Sequence, residues 1–248
     1  MSKRLFNTMF GIAMSVQAVL VHGEIVIDRT RIIYMASAPG VTVNLRNEAD
    51  GPRLVQVWID AGDPHVVPEL SDVPFTVTPP ILRLDAGQRR VLRVMYHAPQ
   101  GKAIAASQES VYWLNVLGIR PSVDTGNQLQ FAFRTRIKLF LRPDALSGQA
   151  QQAVGRLQWH LADDGAVQVR NPSAFHVSLS SVLLTIDGLE YCSEDPPMLL
   201  PQSVARILLK GRAPTGQGTG AVRFTTLDDH GTTREHTAVV GRSKELAL

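Results

Sequence analysis

Cysteine is almost absent from this 248-residue chain. Cys192 stands alone, so an intramolecular disulfide is excluded, and the thiol is expected to be buried and inert rather than reactive or intermolecular. HExxH, CxxC and GxSxG spacings are all missing, which removes the common zinc, redox and serine-hydrolase constellations. The seven histidines are scattered, and a turn is expected between the closest pair, His230 and His236. Gly216, Gly218 and Gly220 imitate part of a nucleotide-binding fingerprint, but a strand rather than a helix is expected to follow at Ala221–Thr226. The chain therefore does not read as an enzyme, and no metal or cofactor is expected. A dense Lys/Arg block is also missing, which argues against nucleic acid as a partner. Beyond residue 23 no run is long and apolar enough to cross a bilayer, and no segment shows a convincing amphipathic-helix period.

Residues 1–23 have the pattern of a secretory signal. Lys3 and Arg4 supply the positive start, an apolar stretch runs from Phe10 to Val21, and small residues precede Glu24. The stretch is short for a membrane anchor and is broken by polar residues, Asn7 and Thr8 just ahead of it and Ser15 and Gln17 within it. Its removal changes the charge balance. Without Lys3 and Arg4 the 25 basic side chains become 23, against 22 acidic ones, and the net charge falls from +3 to +1.

What is present is β pattern. In the first half, strands are expected at Ile25–Tyr34, Val41–Asn47, Leu54–Asp60, Phe75–Thr78, Ile81–Leu84, Arg90–Tyr96, Ser110–Ile119 and Gln128–Arg142. Turn residues separate them, among them Ala38-Pro39-Gly40, Asp85-Ala86-Gly87 and the corner Thr78-Pro79-Pro80. That strand count in about 120 residues fits an immunoglobulin-like sandwich. After Arg142-Pro143-Asp144, the polar stretch Gln149–Gln152 is expected to be weakly structured, and a second β set follows to Val240. The fold class is thus all-β with two β-sandwich domains: a signal at 1–23, a first domain at 24–144 and a second at 145–248.

The run Gln128–Arg142 (QLQFAFRTRIKLFLR) is the most informative stretch. Leu129, Phe131, Phe133, Ile137, Leu139 and Leu141 share one parity, while Arg134, Arg136, Lys138 and Arg142 share the other. Fifteen residues at about 3.3 Å each would span roughly 50 Å, longer than one domain's core requires. Apolar side chains at one end are then available to something else. If the first strand pairs with this one, Arg31 and Lys138 converge as two cations without an adjacent acid. That is an anion site, most simply for a carboxylate; solvated strand charges are the alternative.

Over essentially its whole length after the signal, the chain resembles the periplasmic chaperones of the chaperone–usher pathway, the family of the P-pilus chaperone. The resemblance is carried by IDRTRIIY (Ile27–Tyr34), VTVNLRN (Val41–Asn47), QVWID (Gln56–Asp60) and TPPILRLDAGQ (Thr78–Gln88). It continues through QESVYWLNV (Gln108–Val116), TRIKLFLRP (Thr135–Pro143) and VRNPSAFHV (Val169–Val177), in matching order and spacing. It implies two immunoglobulin-like domains set at an angle around a cleft, and a periplasmic chaperone of pilus or fimbrial subunits. Arg31 and Lys138 match the cleft pair that anchors a subunit's C-terminal carboxylate.

By the same resemblance Leu129, Phe131 and Phe133 match donor positions that fill the groove of a subunit lacking its last strand. Glu109, Arg142 and Asp229 match an interdomain ion network, with Asp228 the neighbouring candidate. The implied partners are pilus or fimbrial subunits and an outer-membrane usher, and free chaperone could cap its own edge by self-association. The family's occasional disulfide near the end of the second domain is impossible here. The short connection from Ile119 to Leu129, and the lack of a long extension after the signal, resemble the short-loop subclass serving rod-like pili. The alternative to this reading is a secreted structural or adhesive, pilin-like β-sandwich. One difficulty remains on alternation alone: Lys138 falls on the opposite face from Leu129, Phe131 and Phe133, so a twist, a bulge or use of both faces is required.

Overall fold

A computed structural model of the chain describes residues 24–98, 107–121, 131–211 and 220–242. The expected signal at 1–23, the donor candidate Leu129 and most of the Ile119–Leu129 connection lie outside the described residues.

Among the described residues the first domain has nine strands. They are β1 (Ile25–Ile27), β2 (Arg31–Met35), β3 (Val41–Asn47), β4 (Arg53–Asp60), β5 (Phe75–Thr78), β6 (Ile81–Leu84), β7 (Arg89–Tyr96), β8 (Ser110–Ile119) and β9 (Phe133–Arg142). One sheet has the order β1-β3-β7-β5 and the other β2-β9-β8-β4-β6. The inner faces meet over Ile32, Tyr34, Val43, Leu45, Leu92, Leu114 and Leu139, all essentially inaccessible to solvent. Each such side chain contributes on the order of 1.5–3 kcal/mol.

The first expected strand is in fact two. Asp28-Arg29-Thr30 breaks the apolar pattern, and the Asp28 carboxylate accepts from Asn44 Nδ2 at 2.7 Å and its amide at 3.3 Å. There the chain leaves β3 of one sheet and enters the other beside β9. The Thr78–Pro79 bond is cis and forms the corner between β5 and β6.

The second domain holds β10 (Gln158–Leu161), β11 (Val167–Asn171), β12 (Ser178–Ile186), β13 (Leu189–Ser193), β14 (Ser203–Ile207), β15 (Gly220–Leu227) and β16 (Thr233–Arg242). Their order is β13-β12-β15-β16-β10-β11-β14, wrapped around Trp159, Leu161, Val169, Leu184, Val222 and Phe224. A strand does follow Gly220, as expected. Two expectations need correction. The stretch at Gln149–Gln152 is not weakly structured: α1 (Ala150–Val154) forms there, with Ala153 buried against the core. Cys192 is half-buried in β13 rather than buried, because β13 is the last strand of its sheet.

Candidate functional site: the interdomain cleft and the open edge of β9

β9 antiparallels β8 in one unbroken register, from Ser110↔Leu141 to Gly118↔Phe133. On its other side β2 runs parallel, but only over Lys138–Arg142. Among the described residues, Phe133–Ile137 therefore have a strand on one side alone, and β9 is an edge only over that half. The expected fifteen-residue strand is ten residues long in the structure. It starts at Phe133 because β8 ends at Ile119 and Arg120 turns away to Glu24, its Nε 2.7 Å from Oε1. A β-strand needs a partner to satisfy its backbone, whatever its side-chain pattern.

The face question has a plain answer. No bulge interrupts β9, so each parity keeps its face. Ile137, Leu139 and Leu141 fill the first core, whereas Phe133 is 51% and Phe131 63% exposed, because the odd-parity side outruns that core. The even-parity side is a second working surface, and on it Lys138, Phe140 and Arg142 stand beside Arg31, Ile33 and Met35 of β2.

This outward face of β2 and β9 forms one wall of the cleft. Arg31 and Lys138 are direct register partners on adjacent parallel strands. Arg31 is 9% exposed; its Nη1 donates to Leu227 O at 3.1 Å and Ser178 Oγ at 3.3 Å across the cleft, and its Nε is buried without a partner. Burial pulls the Arg31 pKa below its ordinary value, against the attraction of Asp229, Asp228 and Glu109. Burial also lowers that of Lys138, and the neighbouring Arg31 lowers it further. Two cations are thus held side by side, with no carboxylate bonded to either among the described residues, next to a cavity of about 350 Å³ lined by Arg31, Phe140, His176, Leu227 and His236 among others.

The three ion-network candidates meet at the back of the cleft. Arg142 Nε donates to Glu109 Oε1 at 2.8 Å; Nη1 and Nη2 reach the two oxygens of Asp229 at 2.8 and 3.0 Å. Burial opposes the Arg142 charge, but the bonds to Asp229 and Glu109 outweigh it and raise the pKa. Asp228 does not take this place. Its carboxylate accepts the amides of His230 and Thr232, 3.0 and 2.9 Å away, and so shapes the hairpin that carries Asp229.

Sequence reasoning missed His176. Its amide donates to Glu109 Oε2 at 2.9 Å, its ring Nδ1 lies 2.9 Å from the same oxygen, and the ring packs tilted against Phe140, centroids 5.5 Å apart. The signal lay in VRNPSAFHV. Asn171 Nδ2 donates to Phe175 O at 2.7 Å and Leu200 O at 2.9 Å, which shapes the loop presenting His176 to the first domain.

Fold and site together define a class: a two-sandwich binding protein with an interdomain cleft, holding two adjacent cations, that leads to an open strand edge. Known proteins of that class match most of the described length. Residues 24–147 match the family model described as pili and flagellar-assembly chaperone, PapD N-terminal domain. Residues 152–238 match that of pili assembly chaperone PapD, C-terminal domain. The chaperone protein FimB/FhaD of Bordetella pertussis is 36% identical over 221 residues, 88% of each chain. The crystal structure of the YadV chaperone superposes with a TM-score of 0.76 at 37% identity, over 88% of this chain and 100% of that one. A chain of the Salmonella enterica SafA pilin–SafB chaperone complex gives a TM-score of 0.69 at 27% identity, over 87% of this chain and 94% of the other. The chain belongs to the PapD family of pilus-assembly chaperones, and these matches do not favour the adhesive, pilin-like alternative.

Proposed function

We propose that this chaperone works in the periplasm, after loss of residues 1–23, and receives fimbrial subunits that lack a strand of their own. The free edge of β9 pairs with the subunit, while Phe133, Phe131 and Leu129 enter its groove, a case of β-augmentation. Arg31 and Lys138 hold the subunit's C-terminal carboxylate, and the Glu109–Arg142–Asp229 network fixes the domains around it. The subunit then passes to an outer-membrane usher.

The observation carrying this reading is the adjacent Arg31–Lys138 pair in line with the open half of β9. Lys138 lies five residues from Phe133, about 17 Å along the strand. An anchor there sets the register, and a one-residue slip would turn every lent side chain to the wrong side. Arg31→Ala and Lys138→Ala are expected to remain folded and to lose the subunit that co-purifies with the wild-type chain. Undiminished recovery by both folded variants overturns the anchor.

A further inference from the structure

The outward face of β9 stays engaged where β2 no longer covers the strand. Arg136 lies there, opposite Asn115 of β8. Its guanidinium grips Asp60 at the end of β4 with two prongs, Nη2 to Oδ1 at 2.5 Å and Nε to Oδ2 at 3.2 Å, and sits 4.6 Å from the centre of the Trp113 ring. Asp60 is 1% exposed and also accepts from Asn115 Nδ2 and the Gly62 amide, each at 2.7 Å. Burial pushes the Asp60 carboxyl up, but the bonds from Arg136, Asn115 and Gly62 outweigh it and hold it below the usual carboxylate range. Two residues earlier on the same face, Arg134 Nη1 donates to Pro64 O at 2.7 Å.

A segment paired along one backbone edge only, with exposed phenylalanine on its other face, belongs to the part of a protein that opens first. We propose that Arg136, locked to an Asp60 that Asn115 also holds, is a positioning residue for subunit capture. It pins the lending half of β9 to its own sheet by the face the subunit does not use. The free edge and the Phe133 face are then presented already ordered, which removes ordering entropy that binding would otherwise cost. Arginine suits the task because lysine supplies neither the two-pronged grip nor the stacking on Trp113. The proposal rests on the reading of β9 as the lent strand.

Amide hydrogen exchange on the free full chain tests it, comparing wild type with Arg136→Gln and the milder Arg136→Lys. Both variants are expected to exchange about tenfold faster at Phe133–Ile137, with little change at Leu139–Arg142, since local opening is decoupled from global unfolding. Recovery of the subunit that co-purifies with wild type is expected to fall in step. A merely structural role would instead raise exchange throughout the first domain. Unchanged exchange at Phe133–Ile137 in both variants overturns the clamp, and faster exchange with undiminished capture overturns the positioning role. Undiminished capture by Phe133→Glu as well puts the fault in the lent-strand reading itself.

Discussion

Lys138 is held at a cost to the free protein. Burial and the adjacent Arg31 both lower its pKa, so its charged form is less favourable in the folded chain than in the unfolded one. The sign follows from linkage: below its folded pKa this charge destabilises the fold in full, and the penalty fades as pH rises from that pKa to the ordinary lysine pKa of the unfolded chain. Lys138→Met keeps the length of the stem and removes the charge. The variant is expected to stabilise the free chaperone at neutral pH by about 1 kcal/mol, while losing subunit capture. The advantage should hold up to the pH at which Lys138 loses its proton in the folded chain and shrink only above it. Thermal unfolding across pH, together with co-purification, measures both effects; a less stable variant at neutral pH would refute the account. The sequence contained both cations, but their convergence depended on β2 pairing parallel with β9 in one register. The orphaned Arg31 Nε could not be read from residue types at all.

β9 carries two jobs on one face, and the division falls where its cover ends. Leu139 is fully buried and Phe133 half exposed, although they share parity and are six positions apart. Leu139→Ala is expected to cost about 2–5 kcal/mol of stability, as buried leucines do. Phe133→Glu is expected to stay within about 0.5 kcal/mol of wild type and still to block capture, because the residue is already half exposed and lies outside the buried core. Urea unfolding separates the two, and severe unfolding of Phe133→Glu would assign that ring to the first core. Alternation made the strand and its faces legible. It could not show where the strand starts, since alternation continues past Phe133 while β8, the partner, does not. In the second domain α1 escaped notice because five residues are too few for a helical period.

Neither domain holds the cleft by itself, and what joins them is only partly an ion network. The family resemblance supplied Glu109, Arg142 and Asp229; it did not supply Gly231, which packs against Thr30, some 200 residues away in sequence and next to Arg31. At Gly231 φ is +80°, and a Cβ added there would lie 2.1 Å from Thr30 Oγ1 and 3.4 Å from Thr30 Cβ. The Asp228 carboxylate braces the same hairpin through the His230 and Thr232 amides, so the hairpin cannot yield freely. Gly231→Ala therefore combines a left-handed backbone cost of about 1 kcal/mol with a clash across the domain joint. Each domain keeps its own core, so the joint is the softer element and should open. The expected result is a larger radius of gyration by small-angle X-ray scattering and a weaker capture of the subunit. Thr30→Ala added to Gly231→Ala removes the oxygen that blocks the new Cβ and leaves the backbone cost in place. The double variant is expected to regain the wild-type radius without regaining the full unfolding midpoint. If the single variant scatters like wild type, the Gly231–Thr30 contact does not set the angle between the domains, and the Arg142 network alone would have to carry it.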